Sequence, residues 1–274
     1  MLNILVCVKQ VPMVADLPWD PKTGTLMREK SPGMMDPASK HGLEAALKIK
    51  EEHGAYITVI TMGPPMAEEV LYEAAGMGAD RCLLLCDRAM AGADTLVTSH
   101  CLATASKTYC PDMDLVLMGS NTSDSDTAQV GPQLAEELGF VCAAYVHAIS
   151  IRDTGVVVER ICDGYKETLE MAFPCLVGVS TGSFHPRYMS MGGLEEAFDN
   201  PRILRIGAQE IGLDPEEIGS KGSPTRIVDV YSLATEKKNV VFKGTPKKVV
   251  DDLFERFGET IGSAAGMDIQ EAHE

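Results

Sequence analysis

Between Leu115 and Leu138 the chain reads L-V-L-M-G-S-N-T-S-D-S-D-T-A-Q-V-G-P-Q-L-A-E-E-L, small polar residues set between two apolar stretches. Asp124, Ser125, Asp126 and Thr127 are of the types that cap helices. Val130, Leu134 and Leu138 then recur every four residues up to Gly139, a helix stop. If a helix begins there, the backbone amides of Thr127, Ala128, Gln129, Val130 and Gly131 lack helical partners. They then point at whatever lies above, backed by the positive end of the helix dipole. Such a place suits a phosphate. Gly131 would let a ligand approach the backbone, and Pro132 is tolerated mainly in a first turn. An ordinary capped helix that binds nothing has the same pattern, so the surrounding elements must decide.

Those elements alternate. Leu115 to Met118 is a short apolar run bounded by turn residues, as in a buried parallel strand. Asn3 to Val8 reads as the first such strand, and Asp36, Pro37, Ala38 and Ser39 open a helix that runs to about His53 with Leu43, Ala46 and Leu47 inward. Between them, Trp19 to Arg28 is a turn-rich excursion. Tyr56 to Met62 is the second strand; Gly63, Pro64 and Pro65 start a helix with Val70, Leu71 and Ala74 on one face. Arg81 to Cys86 is the third strand, and Asp94 or Thr95 caps a helix containing Leu96, Val97, Cys101 and Leu102. Repeated strand and helix units predict an α/β fold, a doubly wound, Rossmann-like parallel sheet that binds an adenine nucleotide at the strand carboxyl ends. Cys7, Met62, Asp87 to Thr95 and Gly119 to Gly131 fall there.

From Gly139 the pattern changes. Phe140 to Ile151, Val156 to Ile161, Lys166 to Met171 and Cys175 to Val179 read as successive strands without helices between them, an antiparallel extension of the core. Beyond Ser180 the chain reads as loop and arm, ending in an amphipathic helix from Thr245 whose Val249, Val250, Leu253, Phe254 and Phe257 form one stripe. The expected division is a nucleotide-binding domain over 1–185 and, over 186–274, a partner-contacting loop, extended arm and C-terminal helix.

Bulk properties exclude several classes. A formal net charge of −16 leaves no basic stripe for nucleic acid and repels an anionic membrane surface. The eight cysteines lie scattered without a C-x-x-C pair, as reduced core residues do. No secretory leader or membrane-length apolar run is present, which predicts a cytoplasmic protein with no membrane insertion. Neither G-x-G-x-x-G after the first strand nor a P-loop occurs. His100 and His147 read as structural, and no acid, base and nucleophile set marks a self-sufficient oxidoreductase. A stand-alone AMP-binding sensor would look the same up to Ser150; the segment from Pro186 to Phe257 speaks for assembly with a partner instead.

At the level of motifs the chain resembles the beta, or small, subunits of electron-transfer flavoproteins. V-C-V-K-Q-V-P from Val6, T-M-G-P-P from Thr61, G-M-G-A-D-R from Gly76, D-R-A-M-A-G-A-D-T-L-V-T-S from Asp87 and D-T-A-Q-V-G-P from Asp126 are similar to that family's blocks, in order. P-R-Y from Pro186 and G-S-P-T from Gly222 extend the likeness. The resemblance implies a heterodimer with an alpha subunit that carries the electron-shuttling FAD, serving a flavin dehydrogenase of acyl-CoA or other type. The beta subunit would itself hold AMP or a second FAD. The implied nucleotide contacts are Cys7, Asp36 to Ser39, Met62, Gly63 and Asp126 to Gly131. The A-G-A-D-T-L block, Ala91 to Leu96, resembles the branch that binds a second FAD and bifurcates electrons from NADH. FAD is favoured here over AMP because the start of the helix at Asp94, Thr95 and Leu96 offers a second amide cluster, and two clusters suit a diphosphate. Three features depart from that branch: Ser120 and Asn121 stand where an arginine and a glutamine are usual, Met13 stands for an acid, and Glu195, Glu196 and Asp199 make an acidic loop where many relatives are basic. An acidic loop is expected to face a basic patch on an electron-accepting partner.

Overall fold

The computed structural model describes residues 1–13, 19–20, 25–26, 32–226, 228 and 239–265. They divide into two units, Met1–Asp229 and Val230–Glu274.

In the first unit, β1 (Leu2–Cys7) leads through the short β2 (Gln10–Pro12), β3 (Trp19–Asp20), β4 (Thr25–Leu26) and β5 (Gly33–Met35) into α1 (Pro37–His53). The β3–β4 hairpin falls within the excursion expected from Trp19 to Arg28, the rest of which lies outside the described residues. Strand β6 (Ala55–Met62), helix α2 (Glu68–Met77), β7 (Arg81–Leu85), α3 (Thr95–Tyr109), β8 (Leu115–Gly119) and α4 (Val130–Leu138) follow, as the apolar periods and glycine stops predict. Then come β9 (Val141–Arg152), β10 (Gly155–Cys162), β11 (Tyr165–Ala172) and β12 (Cys175–Val179).

Nine strands make the main sheet, in the order β11-β10-β9-β12-β8-β1-β6-β7-β13, where β13 is Ile203–Ile206. From β9 through β12, β8, β1, β6 and β7 to β13 every pairing is parallel. Helices α1 and α2 cover one face over Leu43, Ala46, Val70, Leu71 and Ala74. Helices α3 and α4 cover the other over Val97, Cys101, Leu102, Leu134 and Ala135. This is a doubly wound α/β fold. The chain steps one way from β1 to β6 and β7 and returns to place β8 on the other side of β1, so the switch point lies between β1 and β8.

Two readings of the sequence are corrected. In the main sheet the antiparallel pairings among the described residues are β9 with β10 and β10 with β11. Strand β12 inserts between β8 and β9, parallel to both, with its five residues buried. An apolar run reveals burial on both faces but not its neighbours. Beyond Ser180, the supposed acidic loop is helix α5 (Met191–Asp199), with Ser190 capping it by accepting from the Gly193 amide. It lies on α2: Phe198 stacks on Tyr72 with centroids 4.5 Å apart, and a Cβ on Gly193 would come 2.4 Å from the Gly76 carbonyl oxygen. Glu196 is paired with Arg202. Helix α5, β13 and the one-turn α6 (Gly219–Gly222) therefore belong to the first unit, which runs past position 185.

The segment into α5 is tied to α1. Glu44, 3 % exposed, accepts from the backbone amide, Nε and Nη2 of Arg187, which also pairs with Glu51. The hydrogen bond from Arg187 holds the Glu51 carboxyl below its ordinary value. In the second unit, α7 (Pro246–Ala265) carries the expected stripe, on which Val250 and Phe254 are exposed and Phe257 meets Phe242 edge-on. Among the described residues no helix is long and apolar enough to cross a membrane, and no group of side chains could hold a metal.

Candidate functional site

The carboxyl ends of β1 and β8 are joined by Asp36, which lies just before α1. Its Oδ2 accepts from the Ser39 amide at 3.1 Å, capping the helix. Its Oδ1 accepts from both the amide and the hydroxyl of Ser123, at 2.8 and 2.9 Å. Its own amide donates to the Lys9 carbonyl, and the Ser39 hydroxyl accepts from the Lys9 amide. One fully buried carboxylate thus ties the loop after β1, the start of α1 and the loop after β8. Close packing enforces the same meeting, since a Cβ on Gly119 would lie 2.6 Å from the Cβ of Ala38.

The loop after β8 uses its polar side chains on itself. Ser120 Oγ accepts from the Tyr145 amide, Asn121 donates to Asp126, and Asp124 is paired with Lys9 at 2.6 Å. These bonds overturn one expectation: no side chain caps α4, whose N-cap position is Gln129. Local hydrogen bonds of Asp, Ser and Thr compete with capping, and here they prevail. The amides of Thr127, Ala128 and Gln129 have no partner among the described residues. Asp126 and Ala128 adopt φ of 48° and 54°, a left-handed backbone that costs an alanine about 1–2 kcal/mol. A left-handed residue followed by Gln129 at φ −94°, ψ −31° turns successive amides into one concavity, the kind that accepts an anion. Gly131 has a different role from the one expected. Its missing Cβ faces Met118 and Leu176 in the sheet, so it lets α4 sit close to β8 and β12 rather than admitting a ligand.

Helix α3 starts beside α4, and Thr95 Oγ1 donates to Gln129 Oε1 at 2.9 Å across the gap. Ser99 Oγ reaches the Thr95 carbonyl and Gln133 behind it. The second amide cluster expected at α3 is taken up in part by Asp94, whose Oδ1 accepts from the Val97 amide of that helix and Oδ2 from the Thr225 amide, both at 3.0 Å. The Ser223 hydroxyl in turn accepts from the Asp94 amide. Burial alone would raise the Asp94 carboxyl, but the amides of Val97, Thr225 and Leu96 outweigh it and hold the group below its ordinary value of 3.8. A depressed folded value stabilises the fold above the ordinary value, and that contribution is lost as pH falls through the folded one. Acid titration is therefore expected to loosen the start of α3 below pH 3.8, and Asp94→Asn to flatten that limb. Amide exchange at Val97 and Thr225 across that range checks it; protection that does not change with acid would refute it.

The other implied contacts fall at neighbouring strand ends. Cys7 closes β1 and Met62 closes β6, while the Gly63 amide donates to the Leu85 carbonyl. Burial pushes the Cys7 thiol up to about 12, so its role is packing and not thiolate chemistry. Leu96 is 44 % exposed on the first turn of α3. The site thus brings together the backbone of Asp126 to Gly131, Thr95 and Leu96, while the side chains of Asp36, Ser39 and Asp94 are spent on protein donors. Sequence reasoning missed Lys9, Ser123 and Thr225, whose partners lie 115, 87 and 131 residues away.

A doubly wound sheet whose switch point faces an uncapped helix start and a left-handed turn defines the class: an α/β protein with unpartnered amides at the strand carboxyl ends, the geometry that suits an anionic ligand. The model of the electron transfer flavoprotein domain matches residues 23–201. The chain is 40 % identical to the electron transfer flavoprotein subunit beta of Thermoanaerobacterium thermosaccharolyticum, over 93 % of this chain and 97 % of that one. It is 44 % identical to subunit CarD of the caffeyl-CoA reductase-Etf complex of Acetobacterium woodii, over 89 % and 93 % of the two chains. With the acryloyl-CoA reductase electron transfer subunit gamma of Anaerotignum propionicum it shares 36 % over 93 % and 97 %. The chain belongs to the electron transfer flavoprotein family, among its beta subunits.

Proposed function

We propose that this chain holds FAD at the adjoining starts of α3 and α4, and passes electrons through the FAD of an alpha subunit to a flavin dehydrogenase of acyl-CoA type, in the cytoplasm. The observation that carries the reading is the left-handed turn at Asp126 to Gln129, in which the amides of Thr127, Ala128 and Gln129 have no protein partner among the described residues. Thr127, Ala128, Gln129 and Val130 would hold a phosphate by their amides, and the Thr95 and Gln129 side chains would flank it. Cys7, Met62 and Gly63 would line the neighbouring strand ends. The flavin, when bound, supplies the one- and two-electron chemistry; the protein binds, orients and shields it. Similarity to subunits named for caffeyl-CoA and acryloyl-CoA reductases supports a partner that acts on acyl-CoA, while the bifurcating form, with NADH as donor, rests on the Ala91 to Leu96 block.

One observation favours a second reading, a structural AMP in place of FAD: Asp94 takes the Val97 amide at the start of α3, which leaves the turn before α4 as the more open cluster, suited to one phosphate. Extracting the purified heterodimer and counting its nucleotides separates the two. Two flavins without AMP are expected. One flavin with one AMP would replace FAD by AMP in this subunit, and one flavin alone would defeat the nucleotide site. Reduction of the second flavin by NADH tests the bifurcating form.

A further inference from the structure

Resting on the nucleotide reading above, we propose that Lys9 is a specificity-determining residue: by pairing with Asp124 it makes the turn at Asp126 to Gly131 tolerant of a phosphate.

Three carboxylates surround the open amides, and each would repel an anion if left uncompensated. Asp36 is met by three donors from Ser39 and Ser123. Asp126 is met by the neutral amide of Asn121. Asp124 is met by a cation: Lys9 Nζ stands 2.6 Å from its Oδ1, with Ser125 Oγ at 3.4 Å and Thr122 Oγ1 at 3.5 Å. The Asp124 side chain is only 11 % exposed, so water and salt screen its charge poorly, whereas Lys9 is 36 % exposed. Lys9 is also fixed in place. Its amide donates to Ser39 Oγ and its carbonyl accepts from Asp36, so its Cα is pinned at the end of β1. An ammonium so placed does little for stability, as part-exposed pairs do. Its consequence is electrostatic: it cancels a shielded negative charge two residues ahead of the turn that would face a phosphate.

The test uses the nucleotide-stripped heterodimer and two probes, AMP and adenosine, titrated by calorimetry against wild type, Lys9→Met, Lys9→Arg and the double variant Lys9→Met/Asp124→Asn. Lys9→Met is expected to weaken AMP on the order of tenfold, the scale of one carboxylate acting on a phosphate at several ångströms through a dielectric between those of water and protein. Adenosine, which has no phosphate, should bind unchanged. Lys9→Arg should keep AMP affinity, and the double variant should recover most of it. Equal loss of AMP and adenosine would mean that the loop has lost its shape, and would overturn a charge role. Undiminished AMP binding by Lys9→Met, or no recovery in the double variant, would overturn it too. A wild type that binds neither probe would instead overturn the nucleotide reading, and this inference with it.

Discussion

Replacing Leu253 and Phe254 with aspartate is expected to abolish co-purification of this chain with its alpha subunit while leaving the first unit folded. The two residues sit four and five positions into the apolar stripe that begins at Val249, and Phe254 remains 55 % exposed. An amphipathic helix with an uncovered aromatic is short of a partner surface. If α7 docks on the alpha subunit, burying each large side chain contributes roughly 1.5 to 3 kcal/mol, so the pair accounts for roughly 3 to 6. Aspartates in the same place add the cost of desolvating charge. Pull-down at micromolar concentration reads the effect, and unaltered recovery of the complex would sink the docking of α7. Circular dichroism and a melting curve on the lone variant keep misfolding apart from lost assembly.

The second large effect is expected within the fold. Alanine at Gly119 would place its Cβ 2.6 Å from the Cβ and 2.7 Å from the carbonyl carbon of Ala38, where backbone and not a flexible side chain stands in the way. On the same helix Gly42 has no more room, since a Cβ there would meet the Met118 backbone at 3.0 Å. Overpacking of this kind costs about 3 kcal/mol when neither side can yield. Because α1 begins with Asp36, pushing it off β8 should also part that carboxylate from Ser123. Gly119→Ala should therefore lower the urea midpoint and lose nucleotide together. Normal stability with normal nucleotide content would show that the contact yields. Gly54→Ala, where a Cβ meets nothing within 4 Å but φ is 73°, offers a control in which strain acts far from the site.

Much of this arrangement is legible in the sequence, and its gaps have physical causes. Buried parallel strands announce themselves as apolar runs ended by turn residues, and helices by stripes and stops, so β1, β6, β7, β8 and α1 to α4 fall where the pattern puts them. Neighbours and direction leave no local trace, which is why β12 reads as one more strand of the extension although it is central to the core. Helix α5 is hidden by Gly192 and Gly193, both poor helix formers, of which Gly193 lets α5 press on α2 at Gly76. In the site, the phosphate-type loop is visible from residue types alone. What its carboxylates do is not, because the same Asp side chain can cap a helix, pair with a distant lysine or accept from a neighbouring amide. Only the fold brings Lys9 to Asp124 and Asp36 to Ser123.

The placement of β12 also sets the order in which the molecule can be completed. While the chain is being made, β8 and then β9 emerge before the strand that belongs between them, so the middle of the sheet stays open until Val179 has been synthesised. During that interval two rows of unpaired peptide groups are exposed, the condition under which strands pair with the wrong chain. The hairpin of β10 and β11 has to form on one side of this gap and wait for its closure. A nascent chain that stalls or is cut between Arg152 and Pro174 is therefore committed to chaperone capture or aggregation, whatever the soundness of its amino-terminal half.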